Sequence, residues 1–192
     1  MIYKNNKLII IGLAGLLGAC SAISINSMTS LFDGSSLTNW NEVGAANWTF
    51  SNGYVEGSGQ AGFLVSEVPY DDFRLVVEFW TSPEANSGVF IRCDSSQTIG
   101  AENCYEVNVF DQRPDPTYRT GSIVNVAAPS VQIDAANRWN RFEILAQGTH
   151  LEVRMNGVET VNTDNDQLSS GYIALQYGTG VVRFREVSIQ EL

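Results

Sequence analysis

The chain has 192 residues, of which 11 are basic and 21 are acidic, and its formal net charge is −10. This length suffices for one well-buried domain. An acidic chain without a basic patch is poorly suited to bind nucleic acid or anionic lipid. The ligands that its charge allows are neutral or cationic.

The N-terminal segment has the features of a bacterial lipoprotein signal peptide. Lys4 and Lys7 precede an apolar stretch from Leu8 to Leu17, which is too short to span a membrane. A small-residue box follows and ends at Cys20. The alternative is an ordinary signal peptide in which this cysteine occurs by chance.

These features predict the domain organisation and the location of the protein. We expect residues 1–19 to be removed, Cys20 to carry the lipid, and residues 20–29 to act as a tether. Residues 30–192 then form a single domain, with a mature charge of −12 because two lysines leave with the signal (9 − 21). Serine rather than aspartate at position 21 favours the outer membrane, with the domain on the periplasmic side of the cell envelope.

The domain itself is predicted to be all-β. No stretch of ten residues or more has a 3.6-residue apolar period, and Asn52-Gly53 and Asn156-Gly157 are typical of two-residue hairpin turns. About a dozen strands are too many for one open sheet, so we predict two antiparallel sheets packed face to face as a sandwich. The predicted strands lie near residues 47–50, 54–56, 62–66, 73–80, 87–92, 105–110, 120–126, 139–145, 150–155, 158–161, 171–177 and 181–190.

Two of these runs concentrate polar and charged side chains. One run ends at Arg92, and the other starts at Tyr105. Because alternate side chains of a strand share a face, paired strands would bring Arg92, Glu106 and Asn108 together, with Asp111 at the rim. A sheet with an apolar back and a charged, aromatic front is suited to grip a polar ligand.

Cys93 and Cys104 delimit the loop between these two runs. A metal site is the less favoured alternative, because two sulfurs without a nearby histidine do not complete a tetrahedral ligand set. We predict a disulfide, which on the loop-entropy model stabilises the fold by about 3 kcal/mol.

An ordered set of short motifs extends across residues 30–192. The motifs are Leu31-Phe32-Asp33-Gly34, Asn39-Trp40, Asn86-Ser87-Gly88, Tyr105-Glu106, Trp139-Asn140, Asn156-Gly157, Leu175-Gln176 and Phe184-Arg185. Together they resemble the 3-keto-disaccharide hydrolase domain family. The resemblance implies a concanavalin-type jelly-roll β-sandwich, often found on lipoproteins, that cleaves glycosides already oxidised to the ketone at C3 of the sugar. The enlarged segment between Cys93 and Cys104 departs from the family pattern.

The implied chemistry needs a base, an acid and a group that polarises a ketone. A 3-keto group acidifies the C2 hydrogen, so the glycosidic bond can leave by elimination and water can then add back. Glu106 or Asp111 is the candidate base, with the other as acid or ligand of a divalent metal, and Arg92 is the candidate for stabilising the enolate. Direct hydrolysis by the two carboxylates is the alternative scheme. The predicted sugar-binding residues are Glu78, Asn108, Gln176, Trp80 and Tyr118.

Two non-enzymatic classes remain beside this hypothesis. The same sandwich serves lectins as well as hydrolases, so a carbohydrate-binding module on the cell envelope is the main alternative. A structural envelope protein would need no ionisable cluster. For both the enzyme and the carbohydrate-binding module, we expect a monomer whose ligand is a sugar or glycoside.

Overall fold

The computed structural model describes residue 1 and residues 27–192. The predicted signal peptide, the lipidation residue Cys20 and most of the predicted tether therefore lie outside the described residues. Within the described part, no helix is long and apolar enough to cross a membrane.

The described chain is built from antiparallel β-strands, as predicted, and residues 27–192 contain no α-helix. A single 3₁₀ turn spans Pro116–Tyr118. The predicted run at 120–126 contains only isolated bridges, because it pairs briefly with one edge of the sheet. The strands are β1 (Thr29–Phe32), β2 (Trp40–Ser51), β3 (Tyr54–Ser66), β4 (Phe73–Thr81), β5 (Ser87–Cys93), β6 (Tyr105–Val109), β7 (Trp139–Gln147), β8 (His150–Met155), β9 (Val158–Asp164), β10 (Tyr172–Tyr177) and β11 (Val182–Glu191).

The strands form one hydrogen-bonded network that curls into two layers. Its order is β6-β5-β10-β3-β11-β4-β7-β8-β9, with β2 on β3 and β1 on β11. The long strand β3 belongs to both layers, since residues 55–57 pair with β11 and residues 62–65 pair with β10. We call β6, β5, β10, the second half of β3 and the first half of β2 the front layer. The remaining strands form the back layer.

The main core lies between the two layers. The predicted inward positions of β4 are buried there, as are the alternate positions of β5 and β6. This alternation confirms the core face expected from the sequence. A smaller cluster packs on the outer side of the front layer, and it contains Val65, Phe90, Cys93, Cys104 and Ala174.

Cys93 and Cys104 form the predicted disulfide, with their Cα atoms 4.2 Å apart. Cys93 ends β5, and Cys104 directly precedes β6. The bond therefore closes residues 94–103 into a loop and holds the ends of the two strands together. Two residues later, Glu106 pairs with Phe90 across the same strands.

Removing this disulfide should destabilise the fold. In a Cys93→Ser/Cys104→Ser variant we expect the free energy of unfolding to fall by about 3 kcal/mol, because the unfolded chain regains the freedom of an unclosed loop. Urea denaturation of the variant and the unreduced parent measures the difference. Native parent protein in which both thiols react freely with an alkylating reagent would contradict the bond.

Candidate functional site

The outer side of the front layer, here called the front face, carries two adjacent rows of side chains. In the first row Glu106 of β6 pairs with Phe90 of β5, Phe90 with Ala174 of β10, and Ala174 with Val65 of β3. The three apolar members are at most 1 % exposed. Glu106 is therefore the one ionisable group of this row, at its β6 end.

The second row begins with Asn108, which pairs with Gly88 of β5. Leu175 of β10 pairs with Val89 of β5. In this antiparallel pair the next residue of β10, Gln176, therefore lies beside Gly88. Gln176 pairs with Phe63 of β3, and Phe63 pairs with Val43 of β2. The row thus changes from amides at one end to apolar side chains at the other.

The carboxyl group of Glu106 has an unusual protonation equilibrium. Its side chain is only 9 % exposed, and this desolvation raises the pKa of Glu106 to about 7, with a partly opposing effect from the charge of Arg113. A carboxyl with a pKa near neutral can both accept and donate a proton at physiological pH, as general acid–base catalysis requires.

A glycine provides the space beside this carboxyl. A Cβ at Gly88 would lie 3.1 Å from a ring carbon of Phe90 and 3.3 Å from Oε1 of Glu106. Any larger residue would crowd the carboxylate. We call the surface over Gly88, between Glu106, Asn108 and Gln176, the notch.

Unpaired acceptors surround the notch. Three buried side-chain oxygens in the described part of the chain have no hydrogen-bond partner, and two of them are Asn108 Oδ1 and Gln176 Oε1 on the front face. The third, Ser122 Oγ, belongs to the segment that hydrogen-bonds to the backbone of Asn108. An unsatisfied buried acceptor costs about 1–3 kcal/mol. Less than 1 Å² of each oxygen is exposed, so a ligand hydroxyl would reach them only after a local displacement.

The loop after β6 forms the rim of the notch. Asn108 Nδ2 donates a hydrogen bond to the carbonyl oxygen of Tyr118, and the guanidinium of Arg113 lies 5.5 Å from the centre of the Tyr118 ring. Arg113 is a site residue that the sequence analysis missed. The sequence feature that could have identified Arg113 is its place in the irregular segment directly after the strand that contains Glu106.

Asp111, the second predicted acid–base residue, lies in the rim loop. Its carboxylate accepts hydrogen bonds from Thr120 Oγ1 at 2.5 Å and from the backbone N–H groups of Ala135 and Ala136 at 2.8 and 3.0 Å. These three hydrogen bonds fasten the rim loop to the segment before β7.

The predicted convergence of Arg92 with Glu106 and Asn108 is wrong. Arg92 is fully buried, and its guanidinium donates to the carbonyl oxygens of Asp71, Gly148 and Leu168 and to the carboxylate of Asp72. All of these acceptors belong to loops that connect strands. Arg92 is a structural residue and not the electrophile of the site.

A β-bulge explains why the alternation fails at this residue. Arg92 has φ +52°, and the register between β5 and β10 shifts between Phe90 and Cys93. The extra residue turns Arg92 away from the front face and puts Cys93 there instead. Gly171 makes the bulge possible, since a Cβ at this position would lie 2.2 Å from the carbonyl oxygen of Cys93.

Glu78 and Trp80 also lie apart from the notch, contrary to prediction. Both face outward from β4 in the back layer, so the main core separates them from the front face. Glu78 forms ion pairs with Arg185 and Arg141, and the guanidinium of Arg183 lies 4.7 Å from the centre of the Trp80 ring. Of the predicted sugar-binding residues, the structure thus brings Asn108, Gln176 and Tyr118 close to Glu106.

Replacing Arg92 should test its structural role. In Arg92→Lys an ammonium cannot reach four acceptors fixed around a planar fork, so we expect unfolding to become easier by about 3 kcal/mol. The exposed Arg185→Lys is the matched control and should lose less than about 1 kcal/mol. Equal stability of Arg92→Lys and the parent in urea denaturation would refute the assignment.

The raised pKa of Glu106 makes the stability of the protein depend on pH. The folded state holds this proton more tightly than the unfolded state, so the stabilisation is fully present below pH 4.5 and is lost as the pH rises through about 7. The neutral variant Glu106→Gln should therefore gain about 3 kcal/mol relative to the parent between pH 4.5 and 8. Denaturation across this range, with the exposed Glu67→Gln as control, measures the effect. A difference that does not change with pH would contradict the burial of an ionisable group.

Comparisons with known proteins agree with this architecture. Two proteins of Parabacteroides distasonis ATCC 8503, provisionally assigned as glycosyl hydrolases, have similar structures. The first has a TM-score of 0.73 at 21 % identity, covering 87 % of this chain and 100 % of its own. The second has a TM-score of 0.77 at 18 % identity, covering 86 % and 94 %.

A third similar structure is the carbohydrate-binding module CBM66 of Bacillus subtilis. Its TM-score is 0.64 at 17 % identity, covering 80 % of this chain and 96 % of the module. Similarity at these identities shows the fold, a concanavalin-like sandwich. None of the curated proteins is similar enough in sequence to give a match.

The sequence of the described chain matches the model of one protein family. The model of the 3-keto-alpha-glucoside-1,2-lyase-like domain matches residues 27–190, which is nearly all of the described chain. The match includes both rows of the front face and the rim loop. The chain belongs to the 3-keto-alpha-glucoside-1,2-lyase-like domain family.

Proposed function

We propose that this domain cleaves 3-keto-glycosides by elimination across C1–C2 and subsequent hydration. The observation that carries the proposal is the buried carboxyl of Glu106, whose pKa is raised to about 7 beside a notch lined by unpaired acceptors. The family membership supports the same chemistry.

Glu106 acts as the base in the first step. It removes the proton from C2, and the electrons of that bond form an enolate with the C3 ketone. The enolate then collapses, a double bond forms between C1 and C2, and the bond from C1 to the aglycone oxygen breaks. The proton held by Glu106 passes to the leaving oxygen, so one residue with a near-neutral pKa serves as base and as acid. Addition of water to C1 and a proton to C2 gives the free 3-keto-sugar.

Other residues of the notch bind the sugar and stabilise charge. Arg113 replaces Arg92 as the cation for the enolate oxygen, because its charge already acts on Glu106. Asn108 Oδ1 and Gln176 Oε1 are buried and unpaired, and a small displacement of either amide would let it accept a hydrogen bond from a sugar hydroxyl. Tyr118 lies at the rim, where its ring can cover the sugar.

A divalent metal fits this site in the type of its donors. One carboxylate and two amide oxygens are ligands that Ca²⁺ and Mg²⁺ accept, and a bound cation would polarise the ketone. In the described part of the chain, however, no three His, Cys, Asp or Glu residues are grouped to hold a metal. Loss of turnover in the presence of a chelator would indicate a bound metal.

The central test is turnover by Glu106→Gln. We expect the variant to lose about 10²- to 10⁴-fold in kcat on a 3-keto-glucoside, because Gln keeps the shape and removes the proton acceptor. In the parent, kcat/KM should rise through an inflection near pH 7, the pKa of the group that must be ionised.

The controls separate chemistry from folding. Glu67→Gln should keep parental turnover, and thermal melting should show that Glu106→Gln is folded. Each protein is assayed on the 3-keto-glucoside and its unoxidised parent, with and without chelator. A folded Glu106→Gln variant with full turnover would refute the mechanism.

A non-catalytic carbohydrate-binding module is the second candidate. It is supported by the structural similarity to CBM66 and by the two amide side chains of the second row. Parent protein that binds glycans yet turns over no 3-keto-glycoside would favour this candidate.

We also propose that the mature protein is anchored to the bacterial cell envelope through a lipid on Cys20. The proposal is supported by the signal-like sequence that precedes this residue. Cys20→Ser should release the domain into the soluble periplasmic fraction, whereas the parent should remain with the membranes. Unchanged fractionation of the variant would count against lipidation.

A further inference from the structure

We propose that Phe63, together with Val43, forms a subsite for an aromatic aglycone on the front face. The inference rests on the proposed function, because it specifies the leaving group of the same reaction. It concerns the apolar end of the second row, to which that mechanism assigns no role.

The position of Phe63 fits the ring that follows the keto-sugar. Gln176 separates Phe63 from the notch at Gly88 along the row. Neighbouring strands are about 4.8 Å apart, so the backbone of Phe63 lies about 10 Å from that of Gly88. This separation suits a second ring joined to a sugar that occupies the notch.

The other sides of the notch are filled by protein. Beyond Asn108 the chain closes the sheet, since Asn108 N donates to Ser122 O at 3.0 Å and Gly121 N donates to Asn108 O at 2.9 Å. The row of Glu106 continues into Phe90, which is 1 % exposed. Towards Phe63, in contrast, the side chains of the second row are only half-buried, namely those of Gln176, Phe63 and Val43.

The surface in that direction is apolar and held in place. The Phe63 ring meets the buried Phe90 ring edge to face, with centroids 5.5 Å apart and an interplanar angle of 88°. Val43 follows it on the edge strand β2. Because neither side chain can hydrogen-bond, this end of the row favours a flat apolar ring over a second sugar with several hydroxyls.

The experiment compares three 3-keto-glucosides that differ only in the aglycone: 4-nitrophenyl, methyl and a second glucose. An aryl leaving group is intrinsically better, so the measured quantity is the change in the aryl-to-methyl ratio of kcat/KM between variants. Phe63→Ala should lower this ratio about tenfold and leave methyl turnover near the parental value, whereas Phe63→Trp should keep the ratio. Phe50→Ala, which removes an exposed aromatic elsewhere on β2, should change neither.

A binding measurement supplies an independent readout. Titration of the parent and Phe63→Ala with unoxidised 4-nitrophenyl and methyl glucosides should show that the variant weakens only the aryl ligand. Melting curves of Phe63→Ala and Phe63→Leu establish that the variants are folded.

The possible outcomes separate this subsite from the proposed function. An unchanged aryl-to-methyl ratio, with normal methyl turnover, overturns the subsite and leaves the function intact. If Phe63→Ala lowers the disaccharide-to-methyl ratio of kcat/KM and leaves the aryl-to-methyl ratio unchanged, the aromatic assignment is overturned. If the parent turns over no 3-keto-glucoside, the proposed function fails, and the two binding constants still decide the subsite.

Discussion

The buried guanidinium of Arg92 ties the front layer to the loops around it. It reaches acceptors in three connections, namely those between β3 and β4, β7 and β8, and β9 and β10. The Asp72 carboxylate also accepts a hydrogen bond from Gly148 N at 2.8 Å. Arg92, Asp72 and Gly148 therefore form one hydrogen-bonded cluster, in which two of the loops are also joined directly. A buried charge is tolerated only when its hydrogen-bonding capacity is met, and the surrounding loops are therefore held in one arrangement. With the disulfide beside it, this cluster fixes the end of β5 that presents the front face.

The front face contains buried polar groups that lower the stability of the fold. An ionised Glu106 is disfavoured by burial, and Asn108 Oδ1 and Gln176 Oε1 stay unpaired. A rigid scaffold can maintain such groups, and a ligand hydroxyl that reached the two oxygens would remove the cost of leaving them unpaired. Unsatisfied polar groups gathered around one carboxyl are a feature of binding and catalytic sites rather than of solvent-facing sheets.

The sandwich alone does not distinguish an enzyme from a binding protein. Similar structures include provisionally assigned glycosyl hydrolases and a carbohydrate-binding module, so the distinction depends on the side chains of one face. Here the second row contains two amides, which suit either class, whereas the first row adds a carboxyl with a pKa of about 7. That group is why catalysis is the function we infer first.

The sequence alone was sufficient for most of the strands and for the faces of β4 and β6, because side chains alternate strictly in regular strands. For the same reason it placed Glu106 and Asn108 on one face. It missed β1 and the first half of β2, and it predicted a strand at 120–126 where the structure has only isolated bridges. The disulfide was predicted from two cysteines at the ends of neighbouring strands. The sequence did not determine the position of Arg92, since a bulge reverses the alternation and depends on the close approach of Gly171, the residue directly before β10.

Tertiary structure also decided which predicted residues meet. Glu78 and Trp80 have the alternation of a ligand-binding face, yet the curl of the sheet at β3 places them on the opposite layer. Arg113 lies in an irregular loop, whose path depends on contacts such as those of Asp111 and not on any periodic pattern. Periodicity assigns a side chain to a face of its own strand, whereas strand order and loop packing determine which faces form one site.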